Sequence, residues 1–198
     1  FGQVAENSAP LIGPDTLVIS IMAGVTLESL TDALALGPDA AIVRAMPSLP
    51  VADGRGVVAV AGADTLTPQA AAQLGALMAP LGLIHHLPDE GGFNLVTALT
   101  GCGPAFVYRF VAAMAGAAVR LGMDPADADA LARATVAGAA DTIARSDLSP
   151  VALADAVASP GGMTQAGLDI LDSDGRLTAL MADTLRAARD RGRELAAT

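Results

Sequence analysis

The chain has 198 residues, room for one large or two small domains, and 53% of them are hydrophobic, ample for a core. A formal charge of −10 argues against nucleic acid or an anionic membrane as partner, since both require basic patches. All 11 basic residues are arginine, which excludes chemistry through a lysine Schiff base. Aromatics are only 3% and Trp is absent, so burial rests on small and aliphatic side chains, a composition suited to close-packed helices. The lone Cys102 forms no intrachain disulfide, and no secretory leader pattern opens the chain, so a cytoplasmic location is expected. Phe1-Gly2 carries no initiator Met and leads into a helix end, so the chain is expected to begin within a longer protein.

Read in order, the pattern predicts a strand at 17–22, a helix at 26–36, strands at 41–46 and 57–61, a helix at 68–80 and a strand at 83–87. Strand and helix in alternation predict a sheet with crossover helices, a partial Rossmann-like, doubly wound α/β portion. After the turn-rich Pro88-Asp-Glu-Gly-Gly92 every apolar segment is long and helix-periodic, with helices expected at 93–100, 104–121, 125–145, 150–158, 164–171 and 175–196. A boundary there gives an α/β domain over 1–88 and an all-α domain over 89–198. The 104–121 helix carries only Arg109 and Arg120 as charges and is apolar nearly all round, so it demands burial on every side. A domain of this size cannot supply that, which predicts a second copy of the chain as partner. No membrane span is expected, because Gly101, Gly103 and Pro104 break the uncharged run 91–108. The arginine-rich stretch 186–193 reads as a solvated last helix with cations near its negative end.

Two turns hold the chemistry. Ser159-Pro-Gly-Gly-Met-Thr164 lies between two helices, and its glycines and following helix start would offer N–H groups to a carboxylate, with a hydroxyl from Ser159 or Thr164 beside it. The plain alternative is an interhelical turn with a Thr cap. Thr100-Gly-Cys-Gly-Pro104 repeats the style, and its alternative is a helix break for close backbone packing, with Cys102 a small buried hydrophobe. His85 and His86 alternate to opposite faces of a strand and read as structural; Asp124, Asp127 and Asp129 sit at a solvated helix start; no metal site is expected. No G-x-G-x-x-G occurs, so the dinucleotide fingerprint is missing from these residues.

Four motifs, in order and spacing, are Val18-Ile-Ser-Ile-Met-Ala-Gly24, Val43-Arg-Ala-Met-Pro-Ser-Leu-Pro50, Ala98-Leu-Thr-Gly-Cys-Gly-Pro-Ala-Phe-Val-Tyr108 and Ser159-Pro-Gly-Gly-Met-Thr164. Together they make the chain resemble pyrroline-5-carboxylate reductase over essentially its whole length. The resemblance implies an N-terminal dinucleotide-binding domain followed by a helical dimerisation domain, with the fingerprint turn preceding Phe1. It implies NADPH or NADH as cofactor, a cyclic imino acid as substrate, and reduction of 1-pyrroline-5-carboxylate to L-proline in proline biosynthesis. By the same matching, Thr164 is the catalytic contact to the imine nitrogen. Ser159, Gly162 and Met163 hold the substrate carboxylate, Val157 lines the pocket, and Ala23, Met46 and Pro47 approach the nicotinamide. A homodimer with sites at subunit contacts is implied, and higher assembly stays open.

The chain departs from the family pattern at three places. Met-Pro-Asn-Thr-Pro is Met46-Pro-Ser-Leu-Pro50 here, Ser-Gly-Ser-Gly-Pro-Ala is Thr100-Gly-Cys-Gly-Pro-Ala105, and Leu-Lys-Asp is Leu153-Ala-Asp155. Two alternatives remain: a related cyclic-imine reductase with a different substrate, or a dimerisation or ligand-binding module without a cofactor.

Overall fold

The computed structural model describes residues 1–37 and 39–196. They fall into two compact units, Phe1–Pro104 together with the end of the chain from Thr184, and Ala105–Asp183.

The first unit is built on a four-stranded sheet in the order β1 (Val18–Ser20), β2 (Ile42–Pro47), β3 (Gly56–Ala61) and β4 (Gly82–His86). Helix α1 (Gly2–Ser8) precedes it, and Ala5 of α1 is buried, as is Leu30 of α2 (Leu27–Ala33). Thr26 caps α2 by accepting from the Ser29 N–H, and α2 carries the chain from β1 to its parallel neighbour β2. Helix α3 (Pro68–Met78), opened by Pro68 and capped by Thr67, likewise links the parallel pair β3 and β4.

The expected crossover helices are α2 and α3, and where the sequence predicts no helix between two strands, β2 and β3 run antiparallel, from Arg44 opposite Ala61 to Pro47 opposite Val58. The cause is the length of the link. Residues 48–55 hold only a 3₁₀ turn, Leu49–Asp53, whereas a parallel crossover needs about a dozen residues or more. Ser48 closes this corner: it is buried, its N–H donates to the Val57 carbonyl at 2.9 Å, and its Oγ accepts from the Val57 N–H at 2.9 Å. Gly54, at φ 67°, completes the turn in a conformation that costs other residues energy.

Side chains of β3 alternate between two helical layers. Val58 and Val60 join Val43, Ala45, Leu74 and Met78 on the α3 side, while Ala59 and Ala61 join Leu87 and Phe93 on the other. Phe93 opens α4 (Phe93–Thr100), so both faces of the strand are covered and its sequence is apolar throughout.

The second unit is helical. Helix α5 (Gly103–Arg120) enters it, α6 (Pro125–Arg145), α7 (Pro150–Val157) and α8 (Met163–Asp172) follow, and α9 (Arg176–Ala196) begins there and ends in the first unit. Asp124 caps α6 through the Ala126 and Asp127 N–H groups, and Ser149 caps α7 through Ala152. Burial is nearly absent: α6 buries Ala128 and Ala132, and α5, α7, α8 and α9 have no buried residue. The predicted apolar helix is therefore present as α5, but its own chain does not cover it. Val107, Tyr108 and Phe110 are each about half exposed. The expected break ahead of it is also slight, because Gly101 keeps right-handed helical angles and α4 leads into α5 across Gly101 and Cys102. By length and composition alone, the run Glu90–Arg120 is long and apolar enough to cross a membrane.

Candidate functional site

In the second unit, Ser159–Gly162 form a tight turn in which the Gly162 N–H donates to the Ser159 carbonyl at 2.9 Å. Pro160 occupies its second position and Gly161, at φ 70°, its third, the combination that a type II turn requires. Gly162 is tightly enclosed: a Cβ there would lie 2.3 Å from Ser159 Oγ, which would have to turn away, and 3.0 Å from the Ser159 carbonyl oxygen. The turn delivers the chain into α8 with Gly162 as cap residue and no side chain capping it. The first helical bond runs from the Ala166 N–H to the Gly162 carbonyl at 3.1 Å. The N–H groups of Met163, Thr164 and Gln165 thus have no acceptor within the helix and carry the positive end of its dipole.

The alternative of a Thr-capped turn is removed by this geometry, because Thr164 stands inside the helix as its second residue and Gly162 holds the cap position. Ser159, Gly162, Met163 and Thr164 share the one turn, and Val157 ends α7 just before it. Ser159 and Thr164 are exposed, as are Val157 at 70% and Met163 at 95%. The second Gly-plus-hydroxyl turn does not form a comparable site. Thr100 Oγ1 donates to the Val96 carbonyl at 2.9 Å within the helix.

In the first unit, Ala23 follows β1, and Met46 and Pro47 end β2. Ala23 and Met46 line a small cavity of about 40 Å³, closed by Arg44, Phe93, Thr97, Cys102 and, from α9, Gly192. Pro47 is not among its lining residues. Gly24, at φ 75°, abuts the Leu195 backbone so closely that a Cβ would come within 2.9 Å. Arg44, on the same face of β2 as Met46, is only 3% exposed. It pairs with Glu90, and its guanidinium lies 4.1 Å from the centre of the Phe93 ring. Arg44 Nε and Thr97 Oγ1 are buried with no hydrogen-bond partner among the described residues.

Arg44, Glu90 and Thr97 were not among the residues singled out from the sequence. The available signal was a solitary cation in the apolar run Ala41-Ile-Val-Arg-Ala-Met46, since a charge in a buried strand requires a partner. His85 and His86 lie exposed on β4. Among the described residues no group of three or more His, Cys, Asp or Glu is arranged to hold a metal ion.

Comparison with known proteins matches residues 90–195 to the family model described as pyrroline-5-carboxylate reductase dimerisation. A pyrroline-5-carboxylate reductase of Synechocystis sp. is 37% identical over 179 residues, a match covering 90% of this chain and 65% of that protein. The Pseudomonas aeruginosa enzyme of the same name is 33% identical over 193 residues, 98% of this chain and 70% of that one. Among solved structures, the Coxiella burnetii pyrroline-5-carboxylate reductase superposes with a TM-score of 0.89 at 32% identity, covering 100% of this chain and 72% of that one. The Plasmodium falciparum pyrroline carboxylate reductase, solved with NADP bound, gives 0.83 at 27% identity, over 98% and 72% of the two chains. The chain thus spans roughly two thirds of the length of these relatives, and it belongs to the pyrroline-5-carboxylate reductase family.

Proposed function

We propose that this chain carries the larger part of an NAD(P)H-dependent reductase that converts 1-pyrroline-5-carboxylate to L-proline, a step of proline biosynthesis in the cytoplasm. The observation that carries the reading is the Ser159–Thr164 turn. Unspent N–H groups and the Thr164 hydroxyl belong to the same first turn of α8, suiting a ligand with a carboxylate next to a ring nitrogen. Ser159, Gly162 and Met163 hold the carboxylate and Val157 borders the ring.

A neutral imine accepts hydride poorly, so the site must favour the protonated form. The Thr164 hydroxyl accepts a hydrogen bond from the protonated ring nitrogen and holds the C=N bond in one orientation. As the ring carbon gains hydride, the C=N electron pair passes to that nitrogen and its positive charge disappears. The protein's part is positioning, which contributes to rate by removing orientational freedom before reaction.

NADPH or NADH supplies the hydride when bound. Ala23, Met46 and Pro47 are the residues here that would border the nicotinamide. The unpartnered Arg44 Nε and Thr97 Oγ1 beside Ala23 and Met46 fit a polar ligand or bridging water. The division into 1–88, part of the dinucleotide-binding domain, and 89–198, the dimerisation and substrate domain, is supported by a family match that starts at residue 90. The half-exposed apolar side chains of α5 fit a homodimer, in which a second copy covers them.

The test is reduction of 1-pyrroline-5-carboxylate by the complete gene product, followed as loss of NAD(P)H absorbance, against a panel of other cyclic imines. Selective turnover of 1-pyrroline-5-carboxylate supports the reading. Preference for another imine replaces the substrate, and absence of turnover with every imine removes the reductase.

A further inference from the structure

We propose that the Arg44–Glu90 pair is a positioning clamp, which holds the segment bearing Ala23 and the strand end bearing Met46 and Pro47 in one fixed geometry against the start of α4. The proposal rests on the reductase reading for its consequence in catalysis. The clamp itself is written in the contacts.

One carboxylate reaches both segments. Glu90 pairs with Arg44, 46 positions earlier, and it accepts from the Leu27 N–H, 63 positions earlier, at 3.0 Å to Oε1 and 3.3 Å to Oε2. Leu27 opens α2, so this bond anchors the end of the loop that contains Ala23 and Gly24. Arg44 stands on the strand two residues before Met46 and on the same face, with its guanidinium against Phe93 of α4. Neither Ala23 nor Met46 has a hydrogen-bonding side chain to fix itself, so the fixing comes from their neighbours.

The ionic character of the pair points to geometry as its role. Its side chains are 4% and 27% exposed, and its surroundings include Phe93 and Met46. A well-packed apolar pair in such a place is commonly as stabilising as an ion pair or more so. What an apolar pair lacks is direction, which a charge-assisted hydrogen bond supplies. Arg44 and Glu90 are positioning residues: they act through Ala23, Met46 and Pro47.

The experiment uses the complete gene product and three variants, Glu90→Gln, Arg44→Met and the double variant. Hydrogen exchange without any ligand is read first. In Glu90→Gln, amide exchange across 22–27 is expected to quicken by roughly tenfold or more as the local anchor weakens. With 1-pyrroline-5-carboxylate, kcat is expected to fall roughly tenfold and the deuterium isotope effect with 4-deuterated NADPH to rise, since hydride transfer depends on alignment. In Glu90→Gln, NADPH affinity, followed by fluorescence, should stay within about twofold, so that the loss falls on kcat.

The double variant leaves no unpaired buried charge. It is expected to regain the wild-type melting temperature while keeping the lowered kcat and the raised isotope effect. If kcat recovers together with the melting temperature, the pair is merely structural and the proposal falls. Unchanged exchange at 22–27 in Glu90→Gln and Arg44→Met overturns it as well. A wild-type protein that reduces no imine sinks the reductase reading instead, and the ligand-free exchange result then alone upholds or overturns the clamp.

Discussion

The two units differ in how they use the same kind of sequence. Residues of the sheet unit bury Val43, Val58, Val60, Leu74 and Phe93 to below 2% or at 2% exposure, whereas the helical unit buries only two alanines, Ala128 and Ala132. Yet α5 of the helical unit carries only two charges, Arg109 and Arg120, among its 18 residues. The lesson concerns where the covering surface comes from. The sheet unit folds its apolar residues against each other, and the helical unit leaves them uncovered by its own chain.

The largest predicted effect tests that contrast directly. Phe110→Asp puts a charge on the apolar exposed side of α5, and it is expected to turn the assembled protein into monomers and abolish turnover. Light scattering across a concentration series checks the mass, and a variant that stays assembled breaks the contrast. Phe93→Ala strikes the self-covered unit instead. It is expected to cost about 3–5 kcal/mol in urea unfolding, because the side chain is 1% exposed and its cavity cannot refill.

Thr164→Ala asks whether an exposed residue of the helical unit serves chemistry. Turnover should fall roughly tenfold, about 1.4 kcal/mol of transition-state stabilisation, with the melting temperature unmoved. Wild-type kcat in this variant removes the hydroxyl from the imine nitrogen. Asp124→Ala removes the cap of α6 and should cost about 1 kcal/mol of stability, measured by chemical denaturation.

At the smallest end, Arg133→Gln should leave the melting point unchanged. Its partner Asp129 lies at 2.7 Å, but both side chains are more than half exposed to solvent. The hydrogen bond that Arg133 donates to Asp129, and then the Asp129 charge, raise the Arg133 pKa above the ordinary arginine value. A cation whose pKa rises on folding contributes its full effect below the unfolded value and loses it only as pH climbs through the folded one. Both lie above the physiological range, so a pH scan there should show no titration of stability from this pair.

Periodicity made most elements legible, and four helices also carry a start signal in the sequence. Thr26, Thr67, Asp124 and Ser149 act as caps, and the expected helix at 125–145 corresponds to α6. Strand direction was not legible in the same way. Val57 to Ala61 has the unbroken apolar run of a two-sided strand whichever way it points, and only the shortness of the link after Pro47 decides. The turn at Ser159–Thr164 could be read as a site since its chemistry is local, lying in consecutive residues. The Arg44–Glu90 pair could not, because nothing in a sequence states which of 21 acidic residues meets a given arginine. The hydroxyl of Thr97 escaped for the same reason, its lack of a partner being a property of three-dimensional packing.

The contact between Gly24 and the Leu195 backbone has a consequence for synthesis. The sheet unit is discontinuous, and its α9 residues leave the ribosome only after all of 105–183. A nascent chain can assemble the four strands early, but the wall that Gly192 contributes beside Ala23 must wait for the later residues. Contacts of such long sequence separation form slowly. The completed unit therefore reports that translation has passed through the helical segment, and a chain halted before α9 leaves Gly24 facing water where a helix backbone belongs.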